Sequence, residues 1–198
     1  MVNRIGCVVL AAGEGRRFGR HAHKLAAHVG GKSLLARAVD AACASQALSC
    51  TLVVGARFES LLCEVDSRRC AIVVNRDWKE GIASSVRRGL AAHRKDDACM
   101  FLVADQPFVS AADLDGLIES FRRVPGSIVA LRAGEVWGTP TLFPRRDFAQ
   151  LSKLQGDDGA KSYAVGSQER VTFVDACRAE AFRDVDTQQD LEALDAVL

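Results

Sequence analysis

Ile5-Gly6-Cys7-Val8-Val9-Leu10-Ala11-Ala12-Gly13-Glu14-Gly15-Arg16-Arg17-Phe18-Gly19 decides how the rest of the chain is read. Its first half is a continuous apolar, β-branched run, the pattern of a strand buried on both faces. Its second half carries three glycines and two arginines. A glycine has no Cβ and tolerates positive φ, so such a loop can bring its backbone close to a phosphate. Free N–H groups then face the anion, and Arg16 and Arg17 add charge and donors. The reading this invites is a cradle for the triphosphate of a nucleotide. The plain alternative is an ordinary strand-to-helix turn with solvated arginines. The spacing is not that of a P-loop, because no Gly-Lys-Ser/Thr follows. The glycine after Gly13 and Gly15 is Gly19, one position late for Gly-x-Gly-x-x-Gly, which argues against a dinucleotide-dependent oxidoreductase.

Outward from that loop, composition narrows the field. A chain of 198 residues with 48% hydrophobic residues can bury one sizeable core, and we read residues 1–198 as a single domain. A formal net charge of +1 gives no overall field toward nucleic acid or membrane surfaces. The local basic cluster of Arg16, Arg17, Arg20 and Lys24, with His21 and His23, holds the single aromatic Phe18 and no series of aromatics to act as base-stacking platforms. The 7 cysteines form no Cys-x-x-Cys pair and are odd in number, so they read as small buried hydrophobes in a reducing compartment. No signal-peptide pattern and no apolar run of about 18 residues occurs. A cytoplasmic location without membrane or nucleic-acid partners is expected.

Downstream, apolar strand-like runs alternate with helical periodicity for about 130 residues, the signature of a parallel sheet with helices on both faces. Ser33 is placed to cap a helix to about Ser45. Strands are expected at Cys50–Gly55, Ala71–Val74, Ala98–Val103 and Ser127–Leu131, with helices at Phe58–Val65, Ile82–His93 and Ala111–Phe121. Pro140 cannot donate to a ladder, so it is expected at a strand start or edge. A further strand over Arg170–Asp175 and a final helix from Gln188 to Val197 close the chain, with Thr187 or Asp186 as its cap. Residues after Arg132 are expected to extend the sheet and build the far wall of a cleft.

Two further places carry candidate chemistry. Ser84 and Ser85 open the helix that starts near Ile82. A helix N-terminus presents unpaired N–H groups, so hydroxyls there suit a base or a phosphate, or are simply a serine-rich first turn. Asp105 directly follows the Ala98–Val103 strand. A carboxylate at the carboxyl end of a central parallel strand lies where open α/β sheets bind ligands. Next to a phosphate loop it suits Mg²⁺, which takes oxygen donors and bridges phosphates. The competing role, capping the next helix, falls better to Ser110.

The assembled motifs resemble the MobA-like NTP-transferase family. The signature is Leu10-Ala11-Ala12-Gly13-Glu14-Gly15-Arg16-Arg17-Phe18-Gly19 with Lys24 after it. Further blocks follow in order: Trp78-x-x-Gly81-Ile82-Ala83-Ser84-Ser85-Val86-Arg87-x-Gly89-Leu90, Ala104-Asp105-Gln106-Pro107, Gly138-x-Pro140-x-Leu142-Phe143, Gly156-Asp157-x-Gly159-Ala160 and Asp184-Val185-Asp186-Thr187-x-x-Asp190-Leu191. Together they look like the molybdenum cofactor cytidylyltransferase branch, where Ala12 fits better than the second glycine usual in the guanylyl branch.

The resemblance implies a three-layer Rossmann-like nucleotidyltransferase fold with a mostly parallel central sheet. Its residues to about 130 would bind nucleotide and the remainder would face the acceptor. It implies CTP as donor, a molybdopterin-type cofactor as acceptor, pyrophosphate as leaving group and Mg²⁺ as cofactor. A recipient molybdoenzyme or its chaperone is the implied partner. Residue by residue, Gly13, Gly15 and Arg17 would hold the β- and γ-phosphates and Lys24 the α-phosphate. Leu10, Ala11, Ala12, Arg16, Ser84 and Ser85 would complete the nucleotide site. Asp105 and Asp186 would hold the metal, and Asp157 would face the acceptor. Thr139 stands where the family often has His, and Gln188 where it often has Pro. The alternatives are a guanylyltransferase or sugar-phosphate nucleotidyltransferase of the same fold, or a non-catalytic carrier of molybdenum cofactor.

Overall fold

The computed structural model describes residues 4–15 and 23–195. In chain order its elements are β1 (Ile5–Ala11), β2 (His28–Val29), β3 (Lys32–Ser33), α1 (Leu34–Ala44), β4 (Ser49–Val54), α2 (Phe58–Leu62), β5 (Ala71–Val74), α3 (Ile82–Ala92), β6 (Ala98–Val103), α4 (Ala111–Arg123), β7 (Ile128–Ala133), β8 (Val136–Pro144), α5 (Phe148–Leu151), α6 (Ala160–Val165), β9 (Val171–Asp175) and α7 (Gln188–Asp195). Seven of the strands form one sheet in the order β5-β4-β1-β6-β8-β7-β9, and β2 and β3 form a separate hairpin. Among the described residues no helix is long and apolar enough to cross a membrane.

The apolar run Ile5–Ala11 becomes the sheet's centre because it has no polar face to give to water. All seven of its residues are buried. It pairs in parallel with β4 on one side and β6 on the other. The crossover through α1 runs from β1 to β4, and the crossover through α3 returns from β5 to β6 on β1's other side. The strand order therefore reverses between β1 and β6. Ligands of open α/β sheets bind at such a reversal, beyond the carboxyl ends of the strands.

Two cores flank the sheet. One packs Leu34, Leu35 and Ala38 of α1 and Leu114, Leu117 and Ile118 of α4 against Cys7, Val9 and Leu52. The other packs Val86 and Leu90 of α3 with Phe148, Leu151 and Ala164 against Val8, Val53 and Phe101. Local chemistry sets the helix starts. Ser33 Oγ accepts the Ala36 N–H, and Ser110 with Asp113 forms a reciprocal capping box on α4. Caps of this kind stabilise a helix by about 1 kcal/mol. Ser110 therefore caps α4 and Asp105 does not. Thr187 caps α7, with its Oγ1 accepting the Asp190 N–H while Asp190 Oδ2 accepts the Thr187 N–H.

Where expectation and structure part, the cause is tertiary. β8 runs antiparallel to both β6 and β7, so the sheet is mixed after β6. Pro140 lies inside β8, a strand flanked on both sides, and not at a start or edge. It is tolerated because the register with β7 shifts between Ala130 and Leu131, which pair with Thr141 and Gly138. The extra residues of that bulge, Thr139 and Pro140, need no ladder partner. α2 ends at Leu62 and not Val65, and the fifth long strand is Ile128–Ala133.

Candidate active site

A cavity of about 680 Å³ opens at the carboxyl ends of β1 and β6. One wall is the segment Leu10–Gly15. The floor is His23, Lys24 and Leu25 with Val103, Ala104, Asp105 and Asp186, and the far wall is Trp78, Lys79, Gly81, Ile82, Ser85 and Asp157.

Gly13 and Asp105 thus share one crevice. A Cβ at Gly13 would meet no atom of the described residues within 4 Å, so it would project into open space. Among the described residues, no side chain stands between that backbone and an incoming anion. Gly15 has φ +64, and a Cβ there would stand 2.9 Å from Lys24 Cβ. This close approach sets Lys24 directly beside the loop. Arg16 and Arg17, with Phe18 and Gly19, lie outside the described residues.

Lys24 begins a short 3-10 turn, Lys24–Ala26, which His23 caps by accepting the Leu25 N–H on Nδ1. Its Nζ donates to Asp105 Oδ2 at 2.7 Å and to Asp186 Oδ1 at 2.9 Å. Burial pulls the Lys24 ammonium down, but the Asp105 carboxylate beside it, aided by Asp186, outweighs burial and holds its pKa above the ordinary lysine value. The lysine therefore stays charged at neutral pH. The two carboxylates meet because the Val185 N–H donates to the Asp105 carbonyl, which zips residues 184–186 onto the end of β6. Next to them, Gln106 Nε2 donates to Asp184 Oδ1, and burial holds the Asp184 carboxyl above its usual range.

Two carboxylates aimed at one point suit a hard divalent cation. Mg²⁺ is typically held by one or two carboxylates, with waters and substrate phosphates completing its shell. Among the described residues there is no cluster of three or more His, Cys, Asp or Glu side chains able to hold a metal. Asp105 and Asp186 would offer two oxygen donors to such a cation.

At the far wall, the expectation for the two serines needs correction. Ser84 does not reach the cavity. Its Oγ donates to the Gly81 carbonyl and accepts from Asn75 Nδ2. Ser85 does line the cavity, and its Oγ also accepts from Asn75 Nδ2, at 3.0 Å. The N–H of Ala83 at the helix start is taken by the Gly156 carbonyl. Gly81 has φ +98, and a Cβ there would fall 2.2 Å from the Gly156 oxygen and 2.6 Å from Asp157 Oδ1. Only glycine lets this loop pack onto α3 and bring Asp157 to the cavity.

Sequence reasoning gave no role to Asn75, which is fully buried and orients both serines. A polar residue directly after β5, at a strand's carboxyl end, was the available signal. It also assigned nothing to the cavity wall at Trp78 and Lys79, although both stand in or beside a quoted motif. The sequence groups His23 with a basic cluster. It is instead buried, burial lowers its pKa first and foremost, and its Nε2 has no hydrogen-bond partner among the described residues.

A glycine loop, a buried lysine and paired carboxylates at a strand-order reversal define a nucleotidyltransferase of Rossmann-like fold. The chain belongs to the MobA-like NTP transferase domain family, whose model matches residues 7–171. It is 29% identical to nicotine blue oxidoreductase of Paenarthrobacter nicotinovorans over 197 residues, 94% of either chain. Among solved structures, the crystal structure of the homologue of Mycobacterium tuberculosis Rv0371c from Mycobacterium sp. strain JC1 superposes with a TM-score of 0.84. That pair shares 27% identity, covering 98% of this chain and 96% of the other. A complex of Rv0371c from M. tuberculosis H37Rv with manganese superposes with a TM-score of 0.76 at 25% identity, covering 98% of this chain and all of the other.

Proposed function

We propose that this protein is a Mg²⁺-dependent cytidylyltransferase that joins the cytidylyl group of CTP to a molybdopterin-type cofactor and releases pyrophosphate. The observation that carries the reading is the Lys24 ammonium, held between Asp105 and Asp186 and facing the open backbone at Gly13 across one cavity. In-line attack of an acceptor phosphate on the α-phosphorus brings two anions together. Catalysis then rests on positioning and charge neutralisation.

In this reading Leu10, Ala11, Ala12 and Ser85 take the base and ribose, and Arg16 adds charge and donors toward the phosphates. The backbone at Gly13 and Gly15, with Arg17, takes the leaving pyrophosphate. Lys24 neutralises charge building on the α-phosphate. Asp105 and Asp186 would hold Mg²⁺, which when bound supplies positive charge to phosphate oxygens; the manganese complex of a structural relative supports a divalent ion in this fold. Asp157, brought to the cavity by Gly81, faces the acceptor. The part to about residue 130 serves the nucleotide and the remainder the acceptor, within one cytoplasmic domain. A recipient molybdoenzyme or its chaperone would take the product.

The test is pyrophosphate release with each of the four NTPs plus the acceptor. The reading predicts turnover with CTP and Mg²⁺; preference for GTP would move the protein to the guanylyl branch. The likeness to nicotine blue oxidoreductase along nearly the whole chain favours a second reading, a redox enzyme using the same cavity. Reduction or oxidation of a dye substrate by an added redox partner, with no pyrophosphate from any NTP, would select that reading.

A further inference from the structure

The cysteines have no part in the site above, yet four of them meet at the opposite end of the sheet. The register sets Cys7 of β1 opposite Cys50 of β4. One step before the Thr51–Ala71 pair, the same parallel register brings Cys70 opposite Cys50. All three belong to the core beneath α1, on the face shared with Leu52 and Ile72, and Cys43 of α1 packs against them. The Cys43 thiol donates to the Arg69 carbonyl at 3.4 Å.

Neighbouring strands lie about 4.8 Å apart. That separation is inside the Cα range of about 4.4–6.8 Å that a disulfide spans. Reachability separates the thiols further: Cys7 has no exposure, whereas Cys50 and Cys70 keep 7% and 8% beside the sheet's edge strand.

We propose that Cys50 and Cys70 form a reversible dithiol–disulfide site whose oxidant is a low-molecular-weight disulfide of the glutathione class. Cys70 is the attacking sulfur. The neighbouring Cys50 thiol holds its pKa below the ordinary thiol value against the effect of burial, with the Arg69 guanidinium assisting. The Cys70 thiolate attacks one sulfur of the oxidant, forming a mixed disulfide and expelling one small thiolate. Cys50 then gives its proton to solvent and attacks Cys70 Sγ, expelling the second small thiolate. Two protein thiols are oxidised and one small disulfide is reduced to two thiols. Disulfides of reducing compartments are transient and redox-sensing in just this manner.

The experiment equilibrates the folded full chain with oxidised and reduced glutathione in varied ratio, then alkylates, digests and maps the thiols. The expected product is the intact chain less two hydrogens, with a cross-link joining the Cys50 and Cys70 peptides and reversed by excess reduced glutathione. Cys50→Ser should stop at glutathione on Cys70, and Cys70→Ser should abolish both products, with circular dichroism verifying the fold of each variant. A Cys43–Cys70 link in the native chain would overturn the assignment. So would glutathione confined to the exposed Cys63 and Cys177 while Cys50 and Cys70 stay free.

Discussion

Lys24 Nζ lies 2.7 Å from Asp105 Oδ2, across 81 residues of sequence. Asp186 shares the same ammonium, so one cation neutralises half of a two-carboxylate charge. Replacing Lys24 by Met removes that cation and leaves the carboxylates free for a metal. Turnover should fall by about 100-fold or more, the size of effect seen when a group stabilising developing charge is lost. Binding of Mn²⁺, followed by electron paramagnetic resonance, should hold or strengthen. Loss of Mn²⁺ binding together with turnover would show that Lys24 and the ion do not share these carboxylates.

Gly13 offers a cleaner probe of the loop. A methyl there enters open space and meets no described atom, so Gly13→Ala should leave thermal stability unchanged or raise it by at most about 1 kcal/mol. On the proposed reading, the same methyl stands where a phosphate would lie. KM for the nucleotide should rise by about tenfold or more, the usual cost of one misplaced methyl group in a fitted site. An unchanged KM would remove the phosphate from this backbone.

His23 gives a pH dependence with a definite sign. Its folded pKa is lowered, so the unfolded chain takes up a proton that the native chain refuses. Its contribution is intact above the ordinary histidine value of about 6.5 and is lost as pH falls below it. The loss is at most about 1.4 kcal/mol per pH unit. Urea unfolding at about pH 7, 6 and 5.5 should show stability declining with acid. Asn at position 23 keeps an acceptor for the Leu25 N–H but cannot titrate, so His23→Asn should flatten the slope. Equal slopes would exclude His23 as the cause.

Asn75 holds the far wall. Asn75→Leu deprives Ser84 Oγ and Ser85 Oγ of a buried donor, and the Asp77 N–H of its acceptor. The expected loss is about 1–3 kcal/mol in urea unfolding, the range for leaving buried polar groups unsatisfied. A neutral change would mean that water replaces the amide.

Much of this was legible along the chain, and the limits have physical reasons. The β1 run, the Ser33 and Ser110 caps and the position of Asp105 at the end of β6 follow from local chemistry, which neighbouring residues express directly. Whether Lys24 reaches Asp105 and Asp186 depends on the bond between Val185 and the Asp105 carbonyl, which no periodicity reports. Pro140 misled because the bulge that accommodates it is a property of the β7–β8 pair. Ser84 misled for a similar reason: it sits at a helix start, but Asn75, nine positions earlier, turns it inward.

The most direct test is a crystal structure with CTP and Mn²⁺ bound, the ion located by its anomalous signal. The account predicts the cytosine over Leu10–Ala12, phosphates against Gly13 and Gly15, and the ion on Asp105 and Asp186. A nucleotide bound outside this cavity, or an ion that touches neither carboxylate, would contradict it.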